Sequence, residues 1–261
     1  MSSAKRFDFV ELAVVSLLAL FVGAVATYRL MPPSVAAYPP PPEGAELAQR
    51  YGPDRNSEHE EEWIIRDFFQ DRRNGTFVDV GANDYRLGSN TYYLETVLGW
   101  SGLAIEPQQQ YAADYARHRP RSKFLPLFVS DVSDQEISMY YVPGNPLLAS
   151  GEKWWVDRAG SAKEMKAPTV TMNDLLAREH LDHFDFLSMD IELAEPKALK
   201  GFDIERFRPA LVCIEAQPPV RQAILDYFAE HRYKLLGKYL RIDTANLYFV
   251  PADALVNRAT H

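Results

Sequence analysis

Between Ser188 and Asp203 the chain reads SMDIELAEPKALKGFD, and three carboxylates, Asp190, Glu192 and Glu195, fall within six residues. Such a group can ligate a hard cation, exchange protons with a substrate, or complement the positive end of the helix whose pattern follows. The apolar approach Phe184, Phe186, Leu187, Met189 reads as a buried strand delivering its carboxyl end to a ligand. A fourth acid, Glu215, closes the apolar run ALVCIEA and stands at a comparable strand end. No stretch has the spacing of a dedicated metal loop, and no metal site is expected. His118, His180, His183 and His231 fall in helical or turn patterns, where solvated or capping roles suit them. Acid–base work therefore falls on Asp190, Glu192 and Glu215, with Glu195 read chiefly as the acid that opens the next helix.

A second constellation lies upstream, in GTFVDVGAND. An apolar strand ends in a single glycine, Gly81, where a tight turn lets backbone approach a ligand. There is no G-x-G-x-x-G and no P-loop lysine, so a pyrophosphate cradle is poorly supported. Glu106 stands 25 residues past Gly81, at the end of the next strand. That spacing suits a carboxylate that accepts hydrogen bonds from two ribose hydroxyls. A glycine turn and a ribose acid without a phosphate cradle point to a nucleoside ligand; the plainer reading is an ordinary turn glycine and a surface acid. Asp79 to Asn83, Glu106-Pro107, Ser130-Asp131, Asp190 to Glu195 and Glu215 are the strand-end residues available to a ligand.

The elements that would hold these residues alternate in period. GTFVDVGA, SGLAIEP, KFLPLFVSD, FDFLSMDIE and ALVCIEA read as strands, and SNTYYLETVLGW, QQQYAADYARHR, VTMNDLLAREH, EPKALKGF and PVRQAILDYFAEHRY as helices. DQEISMYYVP alternates like a strand, Gly144 to Gly160 reads as a loop, and KLLGKYL with NLYFVP closes the domain as an antiparallel pair. Short strand–helix units mean a mainly parallel, doubly wound sheet. Ser57 and Glu60 resemble a capping box ahead of the apolar Trp63, Ile64 and Phe68, and the acidic run Glu58 to Glu62 reads as that helix's solvated face. With 261 residues, 47% of them hydrophobic, the chain can bury a full core. Its net charge of −8 and lack of a Lys/Arg stripe argue against nucleic acid, and its one cysteine, Cys213, reads as a buried strand residue.

Taken in order and spacing, FVDVGAND, SNTYYLE, GWSGLAIEP, FVSD, FDFLSMDIELAEPKALKGFD and RPALVCIEA resemble the FkbM-type S-adenosylmethionine-dependent methyltransferases, over roughly Trp63 to Pro251. The resemblance implies a Rossmann-like class I methyltransferase fold with a seven-stranded sheet and helices on both faces. It implies S-adenosylmethionine as cofactor and O-methylation of a sugar, glycan, lipid-linked or secondary-metabolite hydroxyl. By it, Asp79, Gly81, Ala82 and Asn83 would line the methionine and ribose side. Glu106 with Pro107 would take the ribose, Ser130-Asp131 would lie near the adenine, and Asn90 would touch the cofactor or cap a helix. The family's fourth strand end usually reads Asp-x-Glu-Gly-x-Glu; here Leu193 holds the glycine place and Pro196 follows the second acid. A leucine there implies either a strained positive φ, at about 1–2 kcal/mol, or an isobutyl group intruding on the pocket. The loop Tyr85-Arg86-Leu87-Gly88 is also bulkier than the family's usual small residues. Both departures leave room for the competing reading, a membrane-anchored binding or trafficking module that keeps the fold without catalysing.

The N-terminus differs from the rest. Leu12 to Tyr28 runs seventeen residues without a charge, against the ~17–25 needed to span a bilayer. It reads as a transmembrane anchor, or as a signal peptide with Ala24-Val25-Ala26 at its cleavage site. The expected organisation is an anchor over 1–31, a proline-rich linker over 32–56, the catalytic domain over 57–252 and a tail over 253–261. Lys5 and Arg6 weakly favour an exported domain, but a cofactor made in the cytosol argues for a cytoplasmic one on a single-pass anchor.

Overall fold

β-strand runs that are apolar throughout belong in the middle of a sheet covered on both faces, and TFVDV, FLSM and LVCIE occupy that position. The computed structural model of the chain describes residues 44–143 and 145–254, all within one compact unit, Pro42–His261. The expected anchor over Leu12–Tyr28, most of the proline-rich stretch and residues 255–261 lie outside the described residues. Among those described, no helix is long and apolar enough to cross a membrane.

In chain order the elements are α1 (Gly44–Tyr51), α2 (Glu61–Phe69), β1 (Thr76–Val80), α3 (Tyr92–Thr96), β2 (Ser101–Ile105), α4 (Ala112–His118), β3 (Ser122–Leu125) and β4 (Phe128–Val129). They continue with β5 (Glu136–Val142), β6 (Asn145–Ser150), α5 (Lys153–Val156), β7 (Lys163–Val170), α6 (Met172–Arg178) and β8 (Phe186–Met189). Last come α7 (Glu195–Lys200), α8 (Ile204–Phe207), β9 (Leu211–Glu215), α9 (Arg221–Glu230), β10 (Tyr233–Leu235) and β11 (Asn246–Pro251). Seven strands form the main sheet in the order β10-β11-β9-β8-β1-β2-β3. Pairing is parallel from β9 to β3 and antiparallel where β11 joins β9 and β10, so the sheet is mixed.

Alternate strand residues feed two cores, because successive side chains point to opposite faces. Val78, Val80, Leu187, Met189, Val212 and Ile214 pack with Leu175 of α6, Ala198 of α7 and Ile224 of α9. Phe77, Phe186, Leu211 and Cys213 pack on the other face with Ile64 and Ile65 of α2 and Leu94 of α3. Cys213 is a buried strand residue, as its apolar setting predicts.

Three expectations are corrected. The linker expected to reach residue 56 is partly folded: α1 buries Leu47, and the Arg66 guanidinium of α2 donates to the Tyr51 carbonyl at 2.9 Å. The third expected strand breaks at Pro126 into β3 and β4, which belong to different sheets. The expected loop from Gly144 to Gly160 instead carries β6 and α5, and β6 joins a second sheet ordered β4-β7-β5-β6. This small sheet is inserted between β3 and β8 of the large one.

Arg119, at the end of α4, has no exposed surface and holds the β1–β2 crossover together. Its Nε meets Glu95 Oε2 at 2.6 Å, its Nη1 donates to the Tyr85 carbonyl, and its Nη2 donates to Thr91 Oγ1. Thr91 Oγ1 in turn donates to Asp79 Oδ2 at 2.7 Å. Breaking a buried ion pair from one side strands the other charge, at about 3–5 kcal/mol. Arg119→Met is therefore expected to lower unfolding free energy by that amount in chemical denaturation of the full-length chain.

Candidate active site

A cleft of about 400 Å³ opens at the carboxyl ends of β1, β2, β8 and β9, within the size range of small-molecule sites. One end is built by the turn after β1. Gly81 has φ +86°, and a Cβ there would lie 1.7 Å from the Asp190 carbonyl oxygen, so only glycine fits. The amides of Gly81 and Ala82 both donate to the Ile105 carbonyl, at 2.9 and 3.1 Å, which curls the turn over the end of β2. Glu106 follows on that strand, 4% exposed, with Oε1 accepting the Gln108 amide at 2.9 Å. Burial pushes its carboxyl up to about 6, against the pull of its hydrogen bonds. Gly81, Ala82, Asn83, Glu106 and Pro107 all line this end.

The other end is acidic. Asp190 and Glu192 come from the end of β8, Glu215 from the end of β9, and Glu58 and Glu61 from the segment that starts α2. Asp190 lines the cleft and the residue keeps exposed surface, while its carboxyl sits deep among the strand ends. Its carboxyl lies within 4.8 Å of that of Glu215. Glu195, the first residue of α7, is completely buried, with Oε1 accepting the Ile191 amide at 3.0 Å. It is thus the first-turn acid expected before Pro196, but its side chain turns back toward the strand ends. Oxygens of Asp190, Glu195 and Glu215 all lie within 4.8 Å of one another. Burial first, and mutual repulsion next, raise Asp190 and Glu215 well above the ordinary carboxylate range and push Glu195 up to about 8. Burial likewise raises Glu192, although the Trp155 indole N–H, donating to its Oε2 at 2.6 Å, opposes the shift.

Leu193 adopts φ +78° and is 8% exposed, and it does not line the cleft. Of the two consequences expected of a leucine in the glycine place, the structure shows the strained backbone and not the blocked pocket. Glu192 beside it is also left-handed, at φ +52°. Ser150 Oγ of β6 donates to the Glu192 carbonyl, so the inserted sheet grips this turn from outside.

Several expected site residues stand back from the cleft. Asp79 is buried behind the turn, bonded to Thr91 and Ser188. Asn90 donates to Ser188 Oγ at 3.1 Å. Ser130 pairs its amide with the Val170 carbonyl, and its own carbonyl abuts Gly201, while Asp131 is exposed. Leu127, Phe128 and Val129 line the cleft where Ser130-Asp131 were expected. Conversely, the acidic run before Trp63 is solvated only at its start: Glu58 is exposed, but Glu61 and Glu62 are 4% and 2% exposed. Glu61 Oε1 accepts from Asn246 Nδ2 at 2.9 Å, and burial beside Asp243 raises its carboxyl. Ser57 Oγ accepts the Glu62 amide, not that of Glu60 as a capping box at Ser57 requires. Glu58, Glu61 and Trp155 were missed as site residues; the only available signal was an acidic run set directly against Trp63-Ile64-Ile65.

A carboxyl raised in the folded state stabilises it most while both states hold the proton, below about pH 4.5 for Glu195. That contribution is lost as pH rises toward about 8, because the unfolded chain releases its proton first. In metal-free buffer, thermal unfolding of the full-length chain is expected to shift to lower temperature across this window. Glu195→Gln, which keeps the acceptor for the Ile191 amide, is expected to reduce the slope and raise the midpoint at pH 8. An unchanged slope contradicts the assignment.

A family model for the methyltransferase FkbM domain matches residues 79–236. No curated protein matches the chain significantly. Among solved structures, similarity is found to a TehB-like SAM-dependent methyltransferase from Corynebacterium glutamicum, with 14% identity over 80% of this chain and 97% of that one, at a TM-score of 0.43. A SAM-dependent O-methyltransferase from Thermotoga maritima shows 10% identity over 80% and 71% of the two chains, at a TM-score of 0.41. An O-methyltransferase from Bacillus cereus in complex with SAH shows 13% identity over 88% and 96%, at a TM-score of 0.38. At these similarities the family match carries the conclusion: the chain belongs to the FkbM family of S-adenosylmethionine-dependent methyltransferases.

Proposed function

We propose that the chain methylates a hydroxyl of a sugar, glycan, lipid-linked or secondary-metabolite acceptor. One observation carries this reading. A single cleft joins a glycine turn and a buried acceptor carboxylate at one end to a set of proton-accepting groups at the other, with no Lys or Arg among its described lining residues. The first end fits S-adenosylmethionine. The Gly81 turn lines this end, packed against the Asp190 carbonyl as only glycine allows, and the Glu106 carboxylate offers acceptors for ribose hydroxyls. Gly81 to Asn83, Glu106 and Pro107 would hold the cofactor.

When bound, the cofactor supplies an already activated, electrophilic methyl group. What remains for the protein is to align the acceptor, exclude water and take up one proton. Glu192 is placed to receive that proton. Its carboxylate lines the cleft, burial raises its proton affinity, and the Trp155 indole fixes its orientation. Glu192 would hold the proton given up by the acceptor O–H, while the methyl carbon's bond to the sulfonium sulfur would break and the cofactor would leave as SAH. Leu193 lies outside the lining, which supports a catalytic reading over a binding module.

Glu106 must be ionised to accept two hydroxyl donors, so SAH affinity is expected to fall as pH drops below about 6. Calorimetric titration of the full-length chain with SAH tests this. Glu106→Ala should weaken binding by about tenfold or more and remove the pH dependence. Unchanged affinity refutes the ribose assignment, and no binding at millimolar SAH refutes the reading as an enzyme.

The domain is further read as cytoplasmic and carried on a single-pass anchor over Leu12–Tyr28, because its cofactor is made in the cytosol. In intact cells a C-terminal tag should then resist external protease. Its digestion would place the domain outside.

A further inference from the structure

We propose that Asp190, Glu195 and Glu215 form a binding site for one oxygen-preferring divalent cation at the acceptor end of the cleft. The three carboxylates come from separate places, the end of β8, the first turn of α7 and the end of β9, yet their oxygens gather within 4.8 Å. Two oxygens bound on opposite sides of a calcium-sized ion at about 2.3–2.6 Å lie about 4.6–5.2 Å apart. Magnesium, at about 2.0–2.1 Å, would draw such an opposed pair to about 4.0–4.2 Å, a closure of up to about 0.6–0.8 Å. An all-carboxylate donor set selects hard cations and not zinc or copper.

An independent observation concerns the second oxygens of the two buried acids. Glu195 Oε1 is fixed by the Ile191 amide, and Glu215 Oε1 by the Gln217 side-chain amide at 2.6 Å. Oε2 of each is buried, with no donor in reach. Glu195 is 0% exposed and Glu215 7% exposed, so solvent cannot serve them freely. Neutral donors that orient one carboxylate oxygen and leave the other open are the outer-shell arrangement of metal ligands. Among the described residues none of the three carboxyls forms a salt bridge with Lys or Arg, and other acids are the main charges acting on them. Asp190, open to the cleft, gives the ion a way in and leaves coordination positions facing an acceptor.

The site deepens the methyl-transfer reading: a cation here would hold the acceptor oxygen and lower its proton affinity, with Glu192 taking the proton. Binding itself does not depend on that reading. Full-length protein, freed of metal by chelator, is titrated with manganese(II) while free ion is followed by electron paramagnetic resonance. One bound manganese per chain is expected, displaced by calcium or magnesium and weakened about tenfold or more by Glu195→Gln and by Glu215→Gln. Asp190→Asn should give the same loss and serves where a buried variant does not fold. No binding up to about 1 mM, or equal affinity in the folded variants, overturns the site and leaves the carboxyls as proton-sharing groups. SAH titration on the same samples separates the two ideas. Manganese binding without SAH binding refutes the cofactor reading alone, and SAH binding without manganese refutes the cation site alone.

Discussion

Much of the site depends on the turn from Asp190 to Glu195, within which the Ile191 amide donates to the buried Glu195 carboxylate. With the Ala194 amide donating to the Ile191 carbonyl at 3.3 Å, that bond closes the five residues Ile191 to Glu195 into a turn in which Glu192 and Leu193 take left-handed backbone. The turn then fixes its neighbours. The Asp190 carbonyl occupies the space where a Cβ of residue 81 would be, so the β1 turn must carry glycine. The Glu192 carbonyl and carboxylate receive Ser150 and Trp155 of the inserted segment. The β1 turn, Glu195 and the inserted sheet are thus registered against one loop. A shift of that loop would move all three.

The inserted sheet explains how a fold open at its strand ends becomes a cleft. A doubly wound sheet offers a crevice beyond its carboxyl ends but no wall on the acceptor side. Here β4 to β7 and α5 supply that wall, with Phe128, Met139, Ala149 and Trp155 facing the cavity. On the opposite flank, the segment leading into α2 brings Glu58, His59 and Glu61 to the same space. A bridge between Ser57 and Gly88 ties that segment to the loop after β1. The bulky Tyr85-Arg86-Leu87-Gly88 stretch therefore has a place at the mouth, where Leu87 is both exposed and part of the lining.

The strands and their order of use were legible because β1, β8 and β9 are buried on both faces and so read as unbroken apolar runs. Their ends were legible for the same reason: Gly81, Glu106, Asp190 and Glu215 interrupt such runs with residues no core needs. Which side chain at a strand end turns to the ligand was not legible. Asp79 and Val80 are adjacent, but strand alternation sends Asp79 to Thr91 and Ser188 while Val80 lines the cleft. Contributions from far along the chain were hidden too. Glu61 reads as surface until Asn246, 185 residues later, folds onto it. Strand β6 pairs only within the inserted sheet, and its sequence, rich in proline and glycine at its edges, imitates a loop.

Leu193 shows how a departure from a family pattern can be weighed once its backbone is known. A left-handed leucine costs about 1–2 kcal/mol relative to glycine. Burying an isobutyl group returns about 1.5–3 kcal/mol, and Leu193 is 8% exposed. The two effects are of the same size, so leucine can stand here without a net penalty to the fold. Its side chain packs outside the cleft lining, so it takes no volume from the acceptor. What the substitution removes is freedom: glycine can leave the left-handed region and return at little cost, whereas a buried leucine held there cannot follow a moving loop. In this chain the Glu192 carboxylate is therefore set in place before any acceptor arrives, by the Ile191–Glu195 bond on one side and the buried Leu193 side chain on the other.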